Sequence, residues 1–555
     1  MYIAAPSSFV HQLTNALFFC RFFADWALIL EQSAAKGAVA KRGLMYYFKP
    51  RPCAAYANAH GRNFGEIPMK RLHSIILLFL VMISAKIYAE QTPIKTLHHY
   101  TLKNGLELFV AENHIVPLAT IEIVVRGGAI AHTRENAGLF HLYEHMMFKG
   151  NSKYKTSEAM QQAINRLGVS SYNGMTGAEH INYFFTVPSD RIEEGLEFWS
   201  YAIRTPLLNK REFEAEKKVV LSEINGDFAD PSYIMGYAIA AATYPDAPWI
   251  MQAAGAPDVV ENATIAQLKQ IKDAYYIPNN SALFVSGDVD PEKVYKMVNK
   301  IYGTWKRGKD PWAQKPAEFS RKPFEKPRLM VMPHPQISEA FAGVNVLFRG
   351  IDTDFDTDSV YGAALLHSIT SQPHSVFSRA MVQGGFNIPE ENYTGIDYAM
   401  RRRTGSWTNY ATMLSPDGTL PQKAIDFAAK SVEALYASIP PETPEGDEII
   451  ERILRRTRLE ELYDHETAAS VIDLPHGWWI ECQTDICYGF NERFAATTRA
   501  DMKSFLDEYI KDQPPLIVVI INPEIYKQNK AAFDKAGFEE ITAENAYYFN
   551  KGKTE

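Results

Sequence analysis

The residues in this chain whose types and spacing point most directly to chemistry are His141, Glu144 and His145, in the run His141-Leu142-Tyr143-Glu144-His145. Two histidines four apart share one face of a helix, one turn from each other. Neutral imidazoles held that way are good ligands for a borderline metal such as zinc. Glu144 stands three after the first histidine and next to the second, so its carboxylate can reach a metal-bound water. Zinc lowers the pKa of such a water to about 7. A carboxylate in reach then takes the proton as the water attacks an amide carbonyl.

Two histidines do not close a site, because catalytic zinc usually has three protein ligands and one open position. Residues Glu214 to Ile224 read as an amphipathic helix, with Val219, Val220 and Ile224 turned inward. Glu216 and Glu223 are seven apart, two turns on one face. One of them can bind the metal while the other accepts a hydrogen bond from a ligand histidine. The alternative is that both are solvated helix glutamates.

The order His-x-x-Glu-His is the reverse of His-Glu-x-x-His and is the inverzincin signature. With its context, Gly138-Leu139-Phe140-His141 to Met146-Met147-Phe148-Lys149-Gly150, it resembles the motif block of the M16 metallopeptidases. That family includes pitrilysin, insulin-degrading enzyme and the mitochondrial processing peptidase. The resemblance runs over nearly all of residues 95–550 and implies Glu223 as the third ligand, Glu216 as the supporting carboxylate, and one Zn2+ per chain. It also implies that Asn173, Gly174 and Met175 lie on an edge strand that pairs with the extended substrate backbone. In the family an alanine stands where this chain has Gly174; an ordinary turn at Asn173-Gly174 is the other reading.

Many family members carry an Arg and a Tyr seven apart, outside the zinc domain, that hold the scissile peptide. The matching block here resembles Ser378 to Gly385, where Val382 occupies the arginine position and no tyrosine follows at the required place. The implied partner is therefore a second M16 chain that supplies the pair. A homodimer in which Arg379 or Tyr393 stands in is the alternative.

The elements that must position these groups can be read in outline. Thr101 to Val110 alternate around Lys103-Asn104-Gly105, which predicts paired strands. Strands are also predicted at Leu118–Arg126, Ile181–Val187 and Ala282–Asp288, and helices at Ser157–Leu167, Arg191–Thr205 and Arg211–Asn225. Asp290-Pro291-Glu292 is a helix start. The second half repeats the first faintly: Ile121 to Gly127 resembles Val344 to Gly350, and Phe284 to Tyr295 resembles Val519 to Tyr526. Where the copy should carry a metal helix it has Tyr361 to His367, and the lone His367 reads as a core residue. The expected fold is α+β, two homologous M16-type domains, each an antiparallel-rich sheet covered by helices. The N-terminal domain with the zinc site is expected over 90–310, a Pro- and Lys-rich linker over 311–328, and a C-terminal domain without a metal site over 329–555.

At 555 residues the chain exceeds one core. Residues 1–68 are basic and without sustained period. Met69-Lys70-Arg71-Leu72, an apolar run from Ile75 to Ile83 and a small residue at Ala89 then form a secretory signal over 69–89. That run is too short to span a bilayer. Residues 1–68 thus read as foreign to the native protein, with translation starting at Met69 and a mature chain from Glu90 without a membrane span. Taking ten of 57 basic and three of 65 acidic groups away with residues 1–89 leaves 47 against 62, a net charge of −15. That argues against a nucleic-acid partner. Of four cysteines, Cys482 and Cys487 remain, as a loop disulfide or as free thiols.

The function expected is an exported, zinc-dependent endopeptidase that hydrolyses peptides or unfolded polypeptides, with zinc-bound water activated by Glu144. The alternatives are a non-catalytic M16-like scaffold subunit and a peptide-binding subunit.

Overall fold

The computed structural model describes residues 97–550 apart from 170, 229, 314–323, 352, 354, 355, 403, 465, 473–475, 478 and 481–483. The expected signal segment, the residues before it, the middle of the expected linker and Cys482 lie outside the described residues, as does the side chain of Cys487.

In the first half the strands are β1 Leu97–Thr101, β2 Glu107–Glu112, β3 Leu118–Arg126, β4 Tyr172–Thr176, β5 His180–Pro188 and β6 Ser281–Gly287. They lie in the order β1-β2-β6-β3-β5-β4. The β2–β6 pair is parallel and the other pairings are antiparallel. The helices of this half include α1 Leu139–Met147, α2 Ser157–Arg166, α3 Ile192–Arg204, α4 Lys210–Asp227, α5 Pro231–Thr243, α6 Ile265–Tyr275 and α7 Pro291–Tyr302. The β1–β2 turn is held by Asn104, whose Nδ2 donates to the Tyr302 and Trp305 carbonyls at 2.9 and 3.0 Å. Asp290 caps α7, its side chain accepting from the Lys293 N–H, with Pro291 at the first helical position.

The second half repeats this plan. Its strands are β7 Arg328–Pro333, β8 Phe341–Arg349, β9 Thr394–Ala399, β10 Ser406–Leu414, β11 Leu516–Ile521 and β12 Glu539–Glu540, in the order β12-β7-β11-β8-β10-β9. Its helices include α8 Asp358–Thr370, α9 Val376–Gln383, α10 Leu420–Ala437, α11 Pro444–Asp464, α12 Arg499–Tyr509 and α13 Pro523–Ala536. β3 and β8 hold the same rank in their sheets, as do β6 and β11, so the faint repeat seen in sequence coincides with equivalent strands. β7 begins at Arg328, the last residue of the expected linker, because the Arg328 N–H bonds the Pro515 carbonyl at 3.0 Å and starts the parallel pairing with β11.

Each sheet is buried on both faces, which is why β3 is a nearly continuous apolar run. Ile121, Ile123 and Val125 face the first core, with Phe140, Phe185 and Trp199. The other face carries Phe109, Val124 and Phe284 and is covered by Val471, Trp479 and Ile480 from the second half. In return, Ala238 and Ala242 of α5 cover Met330, Met332, Leu516 and Val518 on the second sheet. Each half therefore closes the open face of the other. Among the described residues, no helix is long and apolar enough to cross a membrane.

α4 departs from expectation in one respect. Phe213, Glu216, Val220 and Ile224 form its buried stripe, whereas Val219 is 42% exposed. Val219 is one residue, about 100°, off that stripe. In the second half α8 is buried along most of its length and carries no metal motif; the His367 ring packs on Tyr398 at 4.7 Å between centroids.

Candidate metal centre

The site is assembled from α1, α4 and β4. α1 starts at Gly138, in the left-handed region at φ 94, where a Cβ would come within 2.5 Å of the Ala254 carbonyl oxygen. The Gly138 N–H donates to His132 Nε2 at 3.3 Å. Burial pushes the His132 pKa down to about 3, so its ring stays neutral and can accept that bond.

One turn into α1, His141 and His145 bring their Nε2 atoms to 3.3 Å. Glu223 of α4 places Oε2 at 3.4 Å from His145 Nε2 and 3.8 Å from His141 Nε2. Two donors bound to one tetrahedral zinc at about 2.0–2.2 Å stand roughly 3.3–3.6 Å apart, so this triangle fits the ion. Two imidazoles and one carboxylate are also the donor types zinc takes in catalytic sites. Among the described residues this is the one cluster of three His, Cys, Asp or Glu side chains able to hold a metal.

The two glutamates of α4 divide by burial. Glu223 is half-exposed, with its side chain 47% accessible, and Glu216 is buried at 8%. Glu216 Oε2 meets His145 Nδ1 at 3.1 Å, and its Oε1 meets Lys149 Nζ at 2.7 Å. Burial alone would raise the Glu216 carboxyl, but the His145 and Lys149 contacts outweigh it and hold the pKa low. Burial draws His141 down to about 4, His145 adding to the effect, so its ring is neutral. For His145 the carboxylates of Glu216, Glu223 and Glu144 overcome burial and raise the proton affinity.

Glu144 is buried and lines the same cavity as the donor triangle without being part of it. The Thr176 hydroxyl donates to its Oε2 at 2.8 Å. Burial raises its pKa, and the Thr176 bond opposes the rise. Asn173 and Gly174 do not form a turn. They lie within β4, paired to β5 on one side and last in the sheet order, so β4 is an edge strand. Asn173 and Met175 are exposed there. At Gly174 a Cβ would sit 3.0 Å from Glu144 Oε1 and 3.1 Å from the Tyr183 ring, so glycine leaves the carboxylate its room. A cavity of about 560 Å³ opens over His141, Glu144, His145, Glu223 and β4.

Sequence reasoning missed three residues of this neighbourhood. His132 is a lone histidine with no spacing signal. Thr176 was within reach as the residue two beyond Gly174. Tyr233 of α5 lines the cavity and is hydrogen-bonded with Asp227 and Tyr237; burial, the larger cause, and Asp227 raise its pKa. The stand-ins weighed for the family's Arg and Tyr do not reach the cavity: Arg379 is exposed and donates to the His374 carbonyl at 2.6 Å, and Tyr393 is 43% exposed.

Comparison with known proteins gives the following. Residues 108–249 match the family described as Insulinase (Peptidase family M16), and residues 262–442 match Peptidase M16 inactive domain. The chain is 25% identical over 207 residues to a protein of Rickettsia felis named as a zinc protease, covering 37% of this chain and 50% of the other. It is 25% identical over 240 residues to the zinc protease PqqE of Helicobacter pylori, covering 43% of this chain and 53% of that protein. The matched stretch thus spans about half the length of these relatives. Among solved structures, a protease from Helicobacter pylori superposes with a TM-score of 0.65 at 17% identity, over 76% of this chain and 99% of that one. The first half of the periplasmic protease PqqL from Escherichia coli gives 0.64 at 15% identity, over 80% and 96%. These two likenesses establish the fold.

Proposed function

This chain belongs to the insulinase (M16) peptidase family, and on that premise we propose that it is a zinc-dependent endopeptidase acting on peptides or unfolded polypeptides. The observation that carries the reading is the donor triangle of His141, His145 and Glu223, with the Glu144 carboxylate beside it and an open edge strand along one wall. His141, His145 and Glu223 would hold one Zn2+ per chain. Bound there, the ion would supply Lewis acidity to a carbonyl and to water, whose pKa it would bring to about 7. Glu216 fixes the His145 ring and keeps Nδ1 as its proton-bearing nitrogen. Thr176 ties down Glu144 Oε2, which leaves Oε1 to take the proton from the attacking water and return it to the leaving amine. Asn173, Gly174 and Met175 offer unpaired backbone groups to an extended substrate.

The oxyanion formed on attack needs donors placed beforehand. Within the cavity Lys149 is engaged by Glu216 and Tyr233 by Asp227 and Tyr237. This supports a second M16 chain as the supplier of the missing pair, with a homodimer as the alternative. Export rests on the Met69 to Ala89 pattern, and protein recovered from its native host should begin at or near Glu90. The test of the whole reading is zinc content together with peptide cleavage by the chain alone and mixed with a second M16 chain. Glu144→Gln should retain one zinc and lose cleavage. Cleavage at the wild-type rate by that variant overturns the role given to Glu144.

A further inference from the structure

A second cavity, of about 430 Å³, adjoins the metal centre and shares two wall residues with it, Thr176 and Ala253. Its lining includes Gly177 and Ala178, which continue β4 past its end, and Arg401 and Thr404 of the loop that joins β9 to β10 in the second half. An extended chain paired along β4 would run on from Thr176 into this space.

The chemistry of its walls is uneven. Among the described residues, no aspartate or glutamate lines it, and Arg401 is its one charged group. The Arg401 guanidinium has no carboxylate partner among the described residues. The lining also includes Ile239, Tyr244 and Leu347, apolar groups that lower the local dielectric and strengthen any ion pair formed there. Thr404 adds a second, independent sign. It is 6% exposed, its Oγ1 has no hydrogen-bond partner among the described residues, and it lines the same cavity. A buried hydroxyl left unpaired costs about 1–3 kcal/mol, so a partner that satisfies it is favoured.

The loop carrying both groups is pinned. The Thr353 N–H bonds the Arg401 carbonyl at 3.2 Å, the Gly350 N–H bonds the Gly405 carbonyl at 2.9 Å, and the Tyr244 hydroxyl donates to the same Gly405 carbonyl at 3.0 Å. The backbone at Arg401 and Gly405, on either side of Thr404, is therefore anchored before anything binds.

We propose that this cavity is a substrate subsite that receives a carboxylate, with Arg401 as the counter-charge and Thr404 as a second donor. The assignment rests on the reading that β4 pairs with the substrate backbone. The carboxylate comes either from an acidic side chain near the scissile bond or from the C-terminus of a short peptide. Arg401 is a specificity-determining residue supplied by the half of the chain that has no metal motif.

The test uses the full chain and labelled octapeptides that carry a single Glu or Gln at each position in turn, each made with a free or an amidated C-terminus. Binding is read by fluorescence anisotropy on zinc-loaded Glu144→Gln protein, and cleavage on the protein with Glu144 intact. In one register the Glu or free-acid peptide should bind at least about tenfold tighter than its neutral twin, as for a charge-assisted hydrogen bond. Whether an internal Glu or the terminal acid gives the effect identifies the source. Adding Arg401→Gln should cut the preference to under about twofold, Arg401→Lys should restore part of it, and Thr404→Val should narrow it less. Equal binding of acid and neutral peptides, or a preference that survives Arg401→Gln, overturns the subsite. Cleavage without acid preference removes the subsite and leaves the peptidase reading standing. Acid-selective binding without cleavage, by the chain alone and also when mixed with a second M16 chain, supports the subsite and counts against the peptidase reading.

Discussion

The sharpest test of the metal centre separates two glutamates that sequence spacing treats alike. Glu216 and Glu223 sit seven apart on α4. Glu223 Oε2 lies 3.4 and 3.8 Å from the two Nε2 atoms, whereas Glu216 touches His145 through Nδ1, the far side of the ring. Glu216→Gln keeps the shape and leaves an amide oxygen to accept from Nδ1–H, but it removes the charge and strips Lys149 of its partner at 2.7 Å. Loss of such an outer partner weakens metal binding by about 10- to 100-fold, or about 1.4–2.8 kcal/mol. Because the hydrogen bond itself survives, the effect should fall in the lower half of that range. Glu223→Gln removes the one anionic donor of the triangle and should cost more. The assay is competition for Zn2+ against a chromophoric chelator at neutral pH, on protein whose folding is checked by circular dichroism. Equal losses in the two variants, or a larger loss for Glu216→Gln, would refute the division of roles.

Three further outcomes follow from the geometry. Thr176→Val removes the bond to Glu144 Oε2, and kcat should fall by about tenfold, as for one hydrogen bond to a charged group, with zinc affinity unchanged; an unaltered kcat would show that Glu144 is positioned by other means. His132 has a folded pKa of about 3 against 6.5 unfolded, so the unfolded chain takes up its proton first. Stability is therefore full above pH 6.5 and falls toward pH 3, by about 2 kcal/mol at pH 5, and urea melts of the wild type and His132→Gln at pH 7.5 and 5 should differ by that amount in their pH dependence. Trp479→Ala should destabilise by about 3–5 kcal/mol in denaturant melts, because the ring is 1% exposed, donates to Glu107 at 3.0 Å and packs under the Arg126 guanidinium at 4.1 Å.

What was legible in the sequence was what depends on short spacings. Four residues make one helical turn, so His141 and His145 could be set on one face without any tertiary knowledge. The β3 and β8 runs, rich in apolar residues and each ending in Arg-Gly, announced strands and the duplication together. Val219 shows the limit: three apolar residues in a short window do not define a stripe until the position of the core is known. Glu216 and Glu223 show another, since a seven-residue spacing places both on one face and says nothing of depth. Contacts across hundreds of residues left no local trace. Trp479 rests on Arg126 and Glu107, and Arg401 lines the same cavity as Thr176; the residues involved are ordinary in their own surroundings.

Those distant contacts also explain why a half without a metal motif persists. If the second half only enlarged the molecule, its loss would cost the first half little. Yet Phe109, Val124 and Phe284 lie on the face of the first sheet that Val471, Trp479 and Ile480 cover. Exposing each such aromatic or aliphatic side chain costs about 1.5–3 kcal/mol. The first sheet therefore depends on the second half for its stability, and α5 returns the dependence by covering Met332 and Val518. α8, the counterpart of the metal helix, is free to be apolar because nothing in this arrangement asks it to bind an ion. What is asked of the second half lies elsewhere, in the segment around Trp479 and in the β9–β10 loop that brings Arg401 and Thr404 to the end of β4. A duplication with one metal motif is thus a division of labour: one copy carries the donor triangle, and the other closes the sheet and contributes a wall of the cavity at the end of β4.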